Sequence, residues 1–162
     1  MMNIKSISVL LFIILALAAP ALGQTNATEP DESEWFAKAV SLYNQDMFAE
    51  SLEAYNKVLE INPNNAEAWN NKGIDLGFMG KNEEALEAFY KATNLNSSYA
   101  EAWYNMGVIY DALGDLESAI KAYNKATEAN PSYTKAWYRK NYDIDYIGFP
   151  HSSLYNEMAG RA

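Results

Sequence analysis

Four tryptophans, Trp35, Trp69, Trp103 and Trp137, are the only ones in the 162-residue chain, and each stands 34 residues from the next. A fixed spacing of that length marks an internal repeat. One such unit is a single supersecondary element that cannot bury its own apolar face, so copies must stack to build a continuous core. With each tryptophan at unit position 4, the units run 32–65, 66–99 and 100–133, followed by a shorter one over 134–162.

Other positions keep the same register. Position 8 holds Ala39, Gly73, Gly107 and Asn141, and position 11 holds Leu42, Leu76, Tyr110 and Ile144. Position 20 is Ser51, Ala85, Ala119 and Ser153; position 24 is Tyr55, Phe89, Tyr123 and Glu157; position 27 is Val58, Ala92, Ala126 and Gly160. Steps of three and four residues put positions 4, 8 and 11 on one helical face and 20, 24 and 27 on another. Each unit is therefore predicted to be two amphipathic helices that approach closely at the small residues, with the aromatic at 24 filling the space left there. The tryptophans are expected in the core. Gly80 and Gly114 are expected to end first helices, Asn82 and Asp115 to cap the second ones, and Asn64, Ser98 and Ser132 to cap the helix that opens each new unit.

This pattern resembles the tetratricopeptide repeat, from about Glu32 to about Ile147, with Pro63 and Pro131 closing two units. The resemblance implies an all-α fold in which antiparallel helix-turn-helix repeats stack as a right-handed superhelical α-solenoid. It also implies that the first helices line a concave groove. Carried over position by position, the partner-binding groove comprises Phe36, Tyr43, Asn70, Asn71, Ile74, Phe78, Tyr104, Asn105, Val108, Lys135, Tyr138, Arg139 and Tyr142, joined by Val40, Asp111 and Asp145. Members that hold the carboxylate tail of a heat-shock chaperone have asparagine, lysine and arginine where Asn105, Lys135 and Arg139 stand. Where they have a further lysine and asparagine, this chain has Asn70 and Ile74, so the resemblance implies only an anion-binding end at Lys135 and Arg139. The fourth unit is expected to be a cap, with Pro150 opening a short final helix near 151–158.

The N-terminus belongs to another regime. Lys5 is its sole charge, and an apolar run over 9–19 is followed by Pro20 and by small residues ahead of Gln24. Residues 1–23 read as a secretory signal peptide cut before Gln24, or as an uncleaved membrane anchor. Residues 24–31 are a polar, acidic linker, leaving 32–162 as the repeat region. Export, secreted or membrane-associated, is the expected localisation. Asn26 and Asn96 each head an N-glycosylation triplet.

Twelve basic against 21 acidic residues give a net charge of −9, the wrong sign for a protein that neutralises nucleic-acid phosphates. No cysteine is present, which removes disulfides, thiolate nucleophiles and sulfur-ligated metals. His151 is the only histidine, and no catalytic constellation accompanies it. The acidic groups Glu83-Glu84-Glu87 and Asp143/Asp145 are expected to face water, so no metal, cofactor or enzymatic activity is assigned. The chain is expected to be a scaffold or adaptor that binds a peptide segment or helix of another protein. The alternative is a homo-oligomer joined through the aromatic last helix, with Tyr138, Tyr142, Tyr146 and Phe149.

Overall fold

The computed structural model describes residues 30–146. Among these, seven helices follow one another without a strand: α1 Glu32–Tyr43, α2 Phe48–Ile61, α3 Ala66–Phe78, α4 Asn82–Leu95, α5 Ala100–Ala112, α6 Leu116–Ala129 and α7 Thr134–Tyr146. Every helix packs on its chain neighbours, and α3 also touches α5. The result is an α-solenoid of helix pairs, α1/α2, α3/α4 and α5/α6, with α7 on the end of the described stack. No described helix is long and apolar enough to cross a membrane. The apolar run at 9–19 and the expected helix at 151–158 lie outside the described residues.

The close approach expected within each pair is present. A Cβ built on Gly73 would lie 2.7 Å from the Phe89 ring, and one on Gly107 would lie 2.5 Å from the Tyr123 ring. Position 8 is small because the aromatic at position 24 occupies the place of its side chain. The turns within pairs also repeat. Gly80 and Gly114 have φ of 73° and 76°, and the equivalent residue of the first unit, Asp46, has φ 59°. Left-handed backbone suits glycine and, with some strain, aspartate.

Capping follows the expectation at some ends and departs from it at others. Asp115 caps α6 by accepting from the Ser118 N–H, but Asn82 is the first residue of α4, whose N-cap is Lys81. Between units the caps sit one residue later than expected, at Asn65 and Tyr99, and Asn65 accepts from the Ala68 N–H. Asn64, Ser98 and Ser132 instead donate their backbone N–H groups to the side chains of Asn62, Asn96 and Asn130, at 3.1, 3.0 and 3.0 Å. This Asx turn, itself repeated every 34 residues, shapes the entry to each new helix pair.

The tryptophans mark the rim of the core, not its interior. Trp69 packs against both apolar clusters, Trp35 against the first and Trp103 against the second, yet all are half-buried. The indole N–H explains this position, because it must keep a partner. Trp69, Trp103 and Trp137 donate to the carbonyls of Pro63, Ser97 and Pro131 at 2.8, 3.0 and 3.0 Å. Each indole thus ties the turn between two units to the helix that follows it.

A stripe at positions 3, 7 and 10 makes the junction between units. It is Ala68, Lys72 and Asp75 on α3, Ala102, Met106 and Ile109 on α5, and Ala136, Lys140 and Asp143 on α7, and all but the half-buried Lys72 are buried. On α1, which begins the described stack, the same positions are the exposed Glu34, Lys38 and Ser41. A polar outer face is what a terminal repeat requires.

Candidate partner-binding surface

The groove set comes from positions 2, 5, 6, 9, 12 and 13 of the units, and the structure treats its two halves differently. In the N-terminal half, Phe36 is half-buried edge-on against Tyr55, with ring centroids 5.6 Å apart. Phe36 lines a depression with Glu32, Ala37, Ile61 and Glu67. Ile74 packs on the core cluster. Tyr43 and Phe78 meet at the turn end of α1 and α3, where Phe48 stacks on Phe78 at 4.8 Å with Tyr43 against both. Phe78 is nonetheless 62% exposed.

Asn70 is not a groove residue. It is fully buried, because its amide joins two units: the Asn105 Nδ2 donates to the Asn70 Oδ1 at 3.0 Å, and the Asn70 Nδ2 donates to the Asn71 Oδ1 at 3.2 Å. Asn71 in turn meets the Tyr55 hydroxyl, which burial pushes up to about 12. A buried amide without partners would cost about 1–3 kcal/mol, so this chain of bonds fixes Asn70, Asn71 and Asn105 as ties between α2, α3 and α5.

In the C-terminal half the named residues line two depressions. Tyr104, Lys135, Tyr138 and Arg139 line one depression of about 300 Å³ with Thr134. Val108, Arg139 and Tyr142 line another of about 640 Å³, together with Asp111, Ala112, Gly114, Leu116 and Asp143. Arg139 is the wall the two share. Tyr104 is held in place by its neighbours, 5.6 Å from the Tyr123 ring and 5.3 Å from the Tyr133 ring. Tyr138 and Tyr142 are 72% and 57% exposed, presenting rigid apolar area with polar tips.

The acidic residues correct a second expectation. Glu83, Glu84 and Glu87 face water, but Asp143 is only 1% exposed. It lies beside Asp111, and burial first, then the Asp111 charge, raises its pKa. Asp111 accepts from the Tyr123 hydroxyl at 3.0 Å and from the Arg139 Nη1 at a long 3.5 Å. Burial and the two carboxylates raise Tyr123 as well, so its hydroxyl stays protonated and donates. Asp75, at the same repeat position, is fully buried too, and neither of its carboxylate oxygens has a hydrogen-bond partner. The nearby Ser51 hydroxyl gives its proton to the Ala39 carbonyl at 3.0 Å. Burial pushes Asp75 up to about 6. The signal for both acids was the alignment of position 10 across units, which sets Asp75 and Asp143 beside Ile109.

Among the described residues no group of three or more histidine, cysteine or acidic side chains is placed to hold a metal. No curated protein sequence matches the chain. In solved structures, similarity extends to MamA at 23% identity and TM-score 0.70, covering 74% of this chain and 70% of that one. The first tetratricopeptide domain of Spaghetti (RPAP3), bound to the HSP90 peptide SRMEEVD, is 23% identical with TM-score 0.69, covering 72% and 92%. YrrB, described as a repeat protein of this type with an unusual peptide-binding site, is 26% identical with TM-score 0.67, covering 71% and 59%. Family models for the tetratricopeptide repeat match residues 33–65 and 100–133, and again 54–87, and a further model for the TPR repeat matches 79–114. Their spans overlap from 33 to 133 without a gap, and the chain belongs to the tetratricopeptide repeat family.

Proposed function

We propose that this protein is an interaction scaffold or adaptor that receives a peptide segment or helix of another protein on the surface formed by α5 and α7. One observation carries the reading: Arg139 is the shared wall of two adjoining depressions, with Tyr104, Lys135 and Tyr138 on one side and Val108 and Tyr142 on the other. Exposed tyrosines beside a cationic group supply the anchors that dominate peptide recognition, and Lys135 and Arg139 suit a carboxylate of the partner. The peptide held by the Spaghetti domain and the peptide-binding site of YrrB support this assignment. Export, through a cleaved signal at 1–23 or an anchor there, an acidic linker at 24–31 and a repeat region at 32–162 complete the proposal.

Random-peptide display on the immobilised chain tests it. Fluorescence anisotropy with an enriched peptide should show that Tyr138→Ala and Arg139→Ala each weaken binding about tenfold, whereas Phe36→Ala changes it less than about twofold. Failure to enrich any sequence, or indifference to both substitutions, overturns the reading. The mass of the mature chain tests export separately, since cleavage leaves a protein that begins at Gln24.

A second reading is favoured by the 72% and 57% exposure of Tyr138 and Tyr142 on the last described helix. Self-association through this face would occupy the same tyrosines. Light scattering separates the two, because a stable dimer dispersed by Tyr138→Ser with Tyr142→Ser supports the second.

A further inference from the structure

The larger depression, between α5, α6 and α7, holds a carboxylate with an unmet need. Asp143 lines it, is 1% exposed, and its Oδ2 has no hydrogen-bond partner. The charged and titratable groups facing it are Asp111 from α5, Tyr123 from α6 and Arg139 from α7 itself. Both nearby donors, the Tyr123 hydroxyl and the Arg139 guanidinium, are directed to the same atom, Asp111 Oδ2. Asp143 meets the Asp111 side chain, and the one arginine beside the two carboxylates contacts Asp111 alone, at a long 3.5 Å, leaving one negative charge in excess whenever both are ionised. A buried pair of carboxylates with a single cation beside it is costly to ionise, and a further cation arriving from outside would balance it.

The walls say what kind of donor fits. Val108, Ala112, Leu116 and the Tyr142 ring provide apolar surface around about 640 Å³, enough for an alkyl stem with a cationic head, and Tyr142 can lie against the cation. A metal ion is a poor fit. It would have two carboxylates, one already bonded to Tyr123, and would face the Arg139 charge. The excess of 21 acidic over 12 basic residues also draws cations towards the chain.

We infer that this depression is a recognition pocket for a basic side chain, an arginine guanidinium or lysine ammonium, carried by the partner. The inference rests on the peptide-binding reading and adds a cation requirement to it. The partner's basic residue pairs with Asp111, and Asp143 behind it supplies the balancing charge. Arg139 competes for the same carboxylates, so here it opposes binding, opposite to its role towards a carboxylate in the adjoining depression. Because the incoming cation favours the ionised pair, affinity rises with pH as the pair loses its proton.

The full-length chain is titrated by NMR with Nα-acetylarginine amide and, separately, with the uncharged isostere Nα-acetylcitrulline amide at low salt. The arginine compound should bind about tenfold tighter, with shifts at Val108, Ala112 and Leu116. Asp111→Asn and Asp143→Asn should each weaken it about fivefold or more, and Arg139→Gln should strengthen it about twofold to threefold. Equal binding of the two compounds, indifference to both Asn variants, or preferential binding of Ca²⁺ overturns the inference. If Asp143→Asn does not fold, Asp111→Asn decides alone. Display-selected peptides that bind through Tyr138 and Arg139 but lack any basic residue overturn the pocket while sparing the scaffold. Arginine binding with no enriched peptide spares the pocket and removes the scaffold.

Discussion

The junction of α3 with the first unit and the junction of α7 with the third place the same residue type at the same repeat position, and the outcomes differ. At the first, Asp75 lies beside Ser51, Tyr43 and Tyr55, and the stacked rings of Phe48 and Phe78 both lie against Tyr43 at steep angles. No cation is placed against it, so the carboxylate is closed in with aromatic rings. At the second, position 12 of the preceding unit is Asp111 where the first junction has Tyr43, and position 6 of α7 is Arg139 where α3 has Asn71. The same buried acid then lies in an open, charged depression. Between them, the junction of α5 with α3 carries Ile109, whose Cδ1 would lie 3.1 Å from a Cβ on Gly77, and needs no polar partner at all. A repeat thus fixes where position 10 points, while positions 6 and 12 of the flanking units determine whether an acid there is a burden or a binding group.

The largest effect is expected from forcing the middle junction to resemble its neighbours. Ile109→Asp removes an apolar side chain that packs in the core cluster and buries a carboxylate with no cation beside it. Chemical denaturation should show a loss of about 3–5 kcal/mol. A loss below about 1 kcal/mol would mean that position 10 is wetter than the burial implies.

The reverse change at the first junction should stabilise. Asp75 titrates at about 6, above its ordinary 3.8, so between those values the folded chain holds a proton that the unfolded chain has released. Stability contributed by this group therefore falls as pH rises from about 4 to 6 and is flat above. Asp75→Ile, copying Ile109, should raise stability at pH 7 by about 1–3 kcal/mol and remove that slope. Urea unfolding across the pH range measures both. A destabilised variant with the slope intact would show that Asp75 is solvated or paired in solution.

Much of this architecture was legible in the sequence, because a repeat states each rule several times. Gly73 and Gly107 facing Phe89 and Tyr123, and the turn glycines Gly80 and Gly114, follow from register and elementary sterics. The family's groove positions also led to Tyr104, Lys135, Tyr138, Arg139 and Tyr142, which the fold brings together. What escaped was polar. Asn70 sits at a groove position, but its amide is consumed by Asn71 and Asn105, and no single-helix pattern reveals a bond that spans 35 residues. Asp143 looked like a solvated acid because charged residues are rarely buried. Comparison of position 10 across units gave the only hint, and the hint becomes chemistry only when Asp111 and Arg139 are placed around it. The tryptophans were half legible: their period revealed the units, but not that the indoles of Trp69, Trp103 and Trp137 bind the preceding turn.

The smallest expected effect tests whether the aromatic cover is what separates the two acids. Phe78 is exposed, so replacing it with serine costs the stack on Phe48 and the contact with Tyr43, about 0.5–1.5 kcal/mol. Part of that loss is offset, because water reaching the Tyr43 side of α3 would hydrate the Asp75 carboxylate and relieve its burial. Phe78→Ser should therefore change stability at pH 7 by less than about 1 kcal/mol. The pKa of Asp75, followed through its carboxyl carbon by NMR, should nevertheless fall from about 6 towards 3.8. Asp143 should not move, since Asp111, Tyr123 and Arg139 surround it and Phe78 does not. A shift at both acids would mean that the substitution loosens the whole stack. A shift at neither would mean that Tyr43, Ser51 and Tyr55 alone keep Asp75 dry, and that the difference between the junctions resides in position 12.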